Sequence, residues 1–198
     1  MKIGVLALQG AVSEHLDVLN DLGVESVAVR YAEELEDLDG LILPGGESTT
    51  LEKLMRRFGL DVALAEALQR GMACWGTCAG MILLSQEITN AISGQTGLGH
   101  LPVRVARNCF GRQVDSCETP LELEGLGGEA FPAVFIRAPG IEKALEPEVE
   151  ILGRHQEMIV AVRYGRILAT SFHPELTGDN RLHRFFVEEI VGCKPVGR

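Results

Sequence analysis

Four short apolar runs within the first 75 residues, separated by stretches of helical period, constrain the fold more than any other feature. Lys2–Leu8 is almost continuously apolar, Val24–Arg30 is rich in β-branched residues, and Leu41–Leu43 and Met72–Trp75 repeat the pattern. Between these runs the period changes. Val12, Leu16, Leu19 and Leu22 share one helical face and Gly23 follows as a stop signal. Ser48–Phe58 and Asp61–Arg70 each start on an N-cap type of residue and are each followed by glycine, and Ala79–Leu84 opens a further helix. Strands covered on both faces read as unbroken apolar runs. Strands alternating with helices therefore predict an α/β fold: an open, mostly parallel sheet with helices on both faces. Ligands of such sheets bind outside the carboxyl ends of the strands.

The second half changes character. Val103–Ala106, Val114–Glu118, Ala133–Ile136, Val149–His155 and Met158–Tyr164 are short strand-like runs with little helix between them. Gly165-Arg166 predicts a hairpin turn into Ile167–Phe172, and Leu182, Phe185, Phe186 and Ile190 mark a C-terminal amphipathic helix. Glu122–Phe131, rich in Gly and Glu, is expected to be a surface loop. No Pro/Ser-rich linker divides the chain, so residues 1–198 are expected to form one domain with an antiparallel extension.

Charge and cysteine usage narrow the function classes. With 28 acidic against 18 basic residues, a net charge of −10 argues against nucleic acid, whose phosphates are met largely by Lys and Arg. No apolar run approaches the roughly 18 residues of a membrane span. Ile3–Leu8 is also shorter than the ~7–15 residue core of a signal peptide. A soluble, cytoplasmic protein with no membrane association is expected. The five cysteines form no CxxC pair and the five histidines no HExxH spacing, so no metal site is expected. One cysteine is then free for a chemical role.

That cysteine is Cys78. Gly76-Thr77-Cys78-Ala79-Gly80 follows the Met72–Trp75 run and precedes an apolar helix, the cysteine form of a G-x-S-x-G nucleophile elbow. Its glycines leave room for a tight strand-to-helix turn. The helix N-terminus favours a thiolate, and the N–H of Ala79 is a natural oxyanion donor. A buried inert cysteine is the alternative for the motif taken alone, and Cys74, Cys109, Cys117 and Cys193, which lack this setting, are expected to be packing residues. Ser171-Phe172-His173-Pro174-Glu175 ends the last strand-like run. Residues two apart on an extended segment face the same way, and Pro174 keeps His173 extended. Glu175 can then orient His173, giving a Cys-His-Glu triad.

Pro44-Gly45-Gly46-Glu47-Ser48 ends the third strand. Its glycines allow main-chain N–H groups to face an oxyanion, while a plain turn followed by a Ser48 helix cap is the simpler reading. It is not a Walker A loop, and no G-x-G-x-x-G follows the first strand. Arg107 and Arg137 stand at strand ends, where an arginine can hold a carboxylate bidentately or simply be solvated. His100, His155 and His183 stand in no comparable motif and are assigned no role.

Taken together, LALQGAVSEH, LPGGEST, GTCAGMILL, RNCFGRQ, FIRAP and SFHPEL resemble the class I, triad-type glutamine amidotransferases across nearly the whole chain. GTCAG and HPE carry only the broad class. LALQGA, RNCFGRQ and FIRAP make the chain similar, more narrowly, to the glutaminase subunits of pyridoxal 5′-phosphate synthase. This resemblance implies a flavodoxin-like core, no cofactor, and L-glutamine as substrate. It implies Cys78 as nucleophile, His173 as general base and acid, Glu175 as its orienter, and the amides of Gly46 and Ala79 as oxyanion donors. Substrate contacts are implied from Gly46, Glu47, Ser48, Arg107, Ile136 and Arg137. It further implies a (β/α)8-barrel synthase subunit as partner, and a free glutaminase that is poorly active until docking reorients the Gly45-Gly46 peptide. Three other readings remain at this level. A histidine-pathway glutaminase subunit shares the triad but not the outer motifs. A cysteine peptidase or stress protein of the same core would place its histidine close after the elbow. A non-catalytic regulatory subunit would have no use for a complete triad.

Overall fold

The computed structural model describes residues 1–92, 94–109 and 116–193. Phe110–Gln113 of the RNCFGRQ motif and the start of the expected Val114–Glu118 strand lie outside the described residues. The first half forms β1 (Lys2–Leu6), α1 (Val12–Asp21), β2 (Glu25–Val29), β3 (Gly40–Leu43), α2 (Ser48–Arg57), α3 (Leu60–Gln69), β4 (Ala73–Thr77) and α4 (Ala79–Leu84). Then come β5 (Ser85–Ile88), β6 (Leu101–Ala106), β7 (Ser116–Leu121), β8 (Phe131–Ile136), β9 (Gly140–Ala144), β10 (Glu150–His155), β11 (Met158–Tyr164) and β12 (Ile167–Thr170). The chain closes with α5 (Arg181–Phe185), which widens into π turns over Phe186–Val191.

A ten-stranded sheet organises these elements in the order β2-β1-β3-β4-β12-β11-β9-β6-β5, with β10 pairing β11. The five strands from β2 to β12 are mutually parallel, the flavodoxin-like core. From β11 to β6 the pairing is antiparallel, and β5 returns parallel to β6. β7 and β8 form a separate antiparallel pair. Tyr164 faces Ile167 across the expected Gly165-Arg166 turn, with Gly165 at φ 56°.

Successive residues of the central strands enter opposite cores. Cys74 of β4 packs with Leu51, Met55 and Leu64 of α2 and α3, whereas its neighbours Ala73 and Trp75 pack with Leu19 of α1 and with Leu182 and Phe186 at the C-terminus. Both faces are therefore dry, which explains why β1, β3 and β4 read as apolar runs. Full burial of a side chain such as Leu64 or Phe186 stabilises by roughly 1.5–3 kcal/mol.

β5 and β9 were not expected from the sequence. β5 follows α4 with no Gly or Pro between them, and its sequence SQEI is mostly polar. β9, GIEKA, buries only its first two residues. The expected loop at Glu122–Phe131 ends one residue earlier, because Phe131 is fully buried and starts β8. No helix among the described residues is long and apolar enough to cross a membrane.

Candidate active site

Parallel register brings the distant motifs to one edge. Thr77 of β4 pairs with Thr170 of β12, and Leu43 of β3 with Gly76 of β4, so all three strands finish side by side. The residues just after them, Cys78, the segment to His173, and Gly45-Gly46, share one rim. The β7–β8 pair closes the other side, since the His173 N–H donates to Val134 C=O at 2.8 Å. A cavity of about 460 Å³ lies between them. Gly46, Glu47, Ser48, Cys78, Ala79, Arg107, Ile136, Arg137 and His173 all line it.

Cys78 sits on a tight turn with φ 48° and ψ −102°. Its N–H donates to Thr170 C=O at 2.8 Å, fixing the turn to the neighbouring strand. The flanking glycines permit the approach of α4: a Cβ on Gly80 would stand 2.0 Å from Leu43 O, and one on Gly76 2.5 Å from Gly80 backbone. A non-glycine residue in such a conformation costs about 1–3 kcal/mol. Cys78→Gly relieves that strain while Cys78→Ala retains it. After the ~0.5–1 kcal/mol entropic cost of glycine, the glycine variant is expected to be about 1 kcal/mol more stable than the alanine variant in urea unfolding.

His173 Nδ1 lies 2.7 Å from Glu175 Oε1, and its ring lines the cavity together with Cys78. The bond forms by a different route from the one expected. Pro174–Leu176 is a 3-10 turn and not extended chain, so Glu175 curls back under His173. Burial is the largest influence on the imidazole and disfavours its charge. The hydrogen bonds to Cys78 and Glu175, together with the charges on those groups, outweigh it and lift His173 to about 10. Space for the ring is provided by Gly45, whose Cβ would stand 2.3 Å from His173 Cε1. Gly45→Ala must displace the imidazole. Misplacement by about 1 Å costs on the order of 100-fold in rate. A loss of that size in kcat is expected, with a much smaller change in melting temperature.

The opposite wall joins the expected Glu47, Ser48 and Arg107 to three side chains that sequence reasoning missed, Gln9, Asn90 and Gln95. Glu47, not Ser48, caps α2: its carboxylate accepts from the N–H groups of Thr49 and Thr50 at 3.3 and 2.8 Å. Partial burial opposes its charge, but these bonds and those from both threonine hydroxyls dominate and hold it at about 2. Ser48 is instead buried in the first turn, where its Oγ accepts from Gln95 Nε2 at 2.9 Å. The other end of Gln95 accepts from Arg107 at 2.8 Å, so one buried amide ties Ser48 to Arg107. Asn90 clamps the Arg107 backbone through both its amide atoms. Asn108 and Arg137 both take positive φ, 53° and 43°, at the cavity edge. Gln9, from the LALQGA segment, accepts from the Glu47 N–H at 2.7 Å and also lines the cavity. Nothing in composition or periodicity marks Gln95 or Asn90, which stand in a polar loop.

Two expectations need correction. Cys74 is buried and Cys117, half-buried, packs against the second core as expected, but Cys109 is only half-buried and Cys193 is exposed. His183 has a partner after all: its Nε2 lies 2.9 Å from Nδ1 of His15, and both rings are fully buried. The pairing joins α1 to α5, two elements 168 residues apart in sequence, which no local pattern reveals.

Comparison with known proteins gives a consistent picture. The family model described as "SNO glutamine amidotransferase family" matches residues 5–192. A protein of Dehalococcoides mccartyi named pyridoxal 5′-phosphate synthase subunit PdxT is 54% identical over 196 residues, covering 98% of this chain and 100% of that protein. A protein of the same name from Acidothermus cellulolyticus is 54% identical over 195 residues, covering 96% and 94% of the two chains. A crystal structure of a glutamine amidotransferase superimposes with a TM-score of 0.89 at 49% identity, over 96% of this chain and 99% of that one. PurLQS from Thermotoga maritima, at 18% identity and a TM-score of 0.75, shares the fold over 95% and 97% of the two chains. With the family model spanning nearly the whole length and relatives above half identity, the chain belongs to the SNO glutamine amidotransferase family.

Proposed function

We propose that this protein is the glutaminase of a pyridoxal 5′-phosphate synthase, hydrolysing L-glutamine to L-glutamate and ammonia within one domain spanning residues 1–198. The observation that carries this reading is the His173–Glu175 hydrogen bond beside Cys78, with Cys78 and His173 lining one cavity whose walls also hold Arg107 and Arg137. Family membership and the names of the relatives supply the pathway.

The Cys78 sulfur attacks the side-chain carboxamide carbon of glutamine, and the carbonyl electrons move onto oxygen. The amides of Gly46 and Ala79 stabilise that oxyanion; one such donor is worth roughly 3 kcal/mol in a dry site. As the C–N bond breaks, His173 protonates the leaving nitrogen and ammonia departs, leaving a γ-glutamyl thioester on Cys78. His173 then takes a proton from water as the water oxygen bonds to the thioester carbon. The C–S bond breaks, glutamate leaves, and the Cys78 sulfur is restored beside the protonated His173. Glu175 holds His173 in one orientation through both steps. Gly46, Glu47, Ser48, Arg107, Ile136 and Arg137 hold the substrate, with an arginine facing its α-carboxylate. The chemistry uses side chains, backbone amides and water, without a cofactor.

The ammonia acceptor lies on a partner, a (β/α)8-barrel synthase subunit, and the complex is cytoplasmic. Docking completes the oxyanion hole by turning the Gly45-Gly46 peptide. In the free chain the Gly45 carbonyl accepts from the Ala11 N–H at 3.1 Å. Turning the peptide gives up one such bond, about 0.5–1.5 kcal/mol net, well within what an interface supplies. Glutamate release measured with and without a barrel synthase subunit tests the partnership. Strong activation is expected. Full activity that is indifferent to the barrel would contradict it.

A further inference from the structure

The triad accounts for only one oxygen of Glu175. Oε1 meets His173 Nδ1. Oε2 is sealed from solvent, and no well-aligned hydrogen bond reaches it among the described residues. Leaving a buried carboxylate oxygen without a donor costs about 1–3 kcal/mol or more. His15 Nε2 stands 3.4 Å from it, with both side chains fully buried. That separation is long for a hydrogen bond, as catalytic contacts often are before substrate binds. The same nitrogen is 3.4 Å from Thr77 Oγ1. On the far side of the ring, Nδ1 meets His183 Nε2 at 2.9 Å, while His183 Nδ1 is buried without a partner.

These contacts select the tautomers. Burial disfavours charge on both rings: His15 lies well below the usual histidine value, with the charges of His183 and His173 adding to the effect, and His183 falls to about 4. Two neutral rings in contact share a single proton. If His183 Nε2–H donates to His15 Nδ1, then His15 carries its proton on Nε2, facing Glu175. Within this cluster of described residues the atom left unsatisfied is then a bare acceptor, His183 Nδ1. In the opposite arrangement a His15 lone pair faces the carboxylate, and a His183 N–H is buried with nothing to receive it. The first arrangement is the stable one.

We infer that His15 is a positioning residue for the reaction, its Nε2–H holding Glu175 Oε2, and that His183 fixes the tautomer that makes this donor available. The inference rests on the glutaminase reading above. A neutral donor suits this role, because it orients the carboxylate while leaving the full negative charge to His173, which a protonated His15 would share.

The test uses the full chain together with its barrel synthase. His15→Leu and His15→Asn both remove the donor at the Nε2 position, whereas His15→Gln places an amide N–H near it. The first two are expected to lower kcat about 10–100-fold with the KM for glutamine unchanged, and Gln to recover most of the loss. In a Glu175→Gln background, His15→Asn should cost little more, because the two residues act as one unit. Nitrogen-15 NMR of histidine-labelled protein should show His15 and His183 both neutral and protonated on Nε2. Wild-type kcat in the Leu and Asn variants, equal loss in Gln and Asn, full additivity with Glu175→Gln, or a His15 proton on Nδ1 would each overturn the inference. If the leucine variant fails to fold, the Gln–Asn comparison and the NMR tautomer still decide. Failure of the glutaminase reading looks different: wild-type protein releases no glutamate, or Cys78→Ala retains activity, while the tautomer measurement stands independently.

Discussion

Replacing Cys78 by alanine is expected to abolish glutamate release, by a factor on the order of 10⁴ or more, since no other group can form the covalent intermediate. The loss should occur without collapse of the fold. Cys78 contributes a small side chain to a turn whose shape is set elsewhere: by the Thr170 carbonyl that holds its N–H, and by the glycine pair that lets α4 approach β3. Circular dichroism and the urea midpoint should therefore change little while the rate falls to background. Docking to the synthase should survive as well, because the substitution alters no exposed surface. A variant that is inactive only because it is unfolded would not support the assignment, which is why both readouts are needed.

The second large effect is expected at Glu175. Glu175→Gln keeps the shape of the side chain and removes its charge, and the amide can present its N–H₂ where His173 Nδ1 needs an acceptor. A fall in kcat on the order of 10²–10⁴ follows from losing orientation and charge together. It should be accompanied by a change in titration. His173 stands at about 10, well above the ~6.5 of an unperturbed histidine. The folded state holds that proton more tightly than the unfolded chain. His173's own contribution to stability is therefore complete below about pH 6.5 and is lost as pH rises toward about 10. With Glu175 neutralised, one of the two partners that lift the imidazole is gone, and the upper edge of that window moves down. NMR should find His173 still protonated at pH 8 in the wild type and titrating at least about one unit lower in the variant. An unchanged midpoint would show that Glu175 does not set the charge of His173.

The parts of this molecule that were legible in the sequence are those dictated by local chemistry. β1, β3 and β4 announce themselves because both faces of the sheet are dry, and α1 to α3 because a helix on a sheet needs an apolar stripe. The elbow at Cys78 was legible because only glycine fits at two positions spaced around it. The HPE segment led to the His173–Glu175 contact through the wrong geometry: Glu175 reaches His173 from a 3-10 turn, not from an extended chain. Ser48 was misread as the cap because serine is the commoner N-cap residue. Glu47 takes that place, its longer side chain reaching back to two amides. What stayed hidden depends on tertiary contact alone. Gln95 matters because Ser48 and Arg107 meet across it. His15 and His183 matter because α1 and α5 pack on the same face of the sheet beside Trp75. Periodicity says that such residues are inside, and it cannot say what they touch.

The central claim is that Cys78 carries the glutamyl group, and the most direct measurement is to look for it there. Protein mixed with glutamine and its barrel synthase, quenched in acid within the first turnovers and examined by peptide mass spectrometry, should carry a γ-glutamyl thioester on the peptide containing Cys78 and on no other cysteine peptide. Rapid glutamate release with no adduct at Cys78, or with the adduct on Cys109, Cys117 or Cys193, would contradict the account.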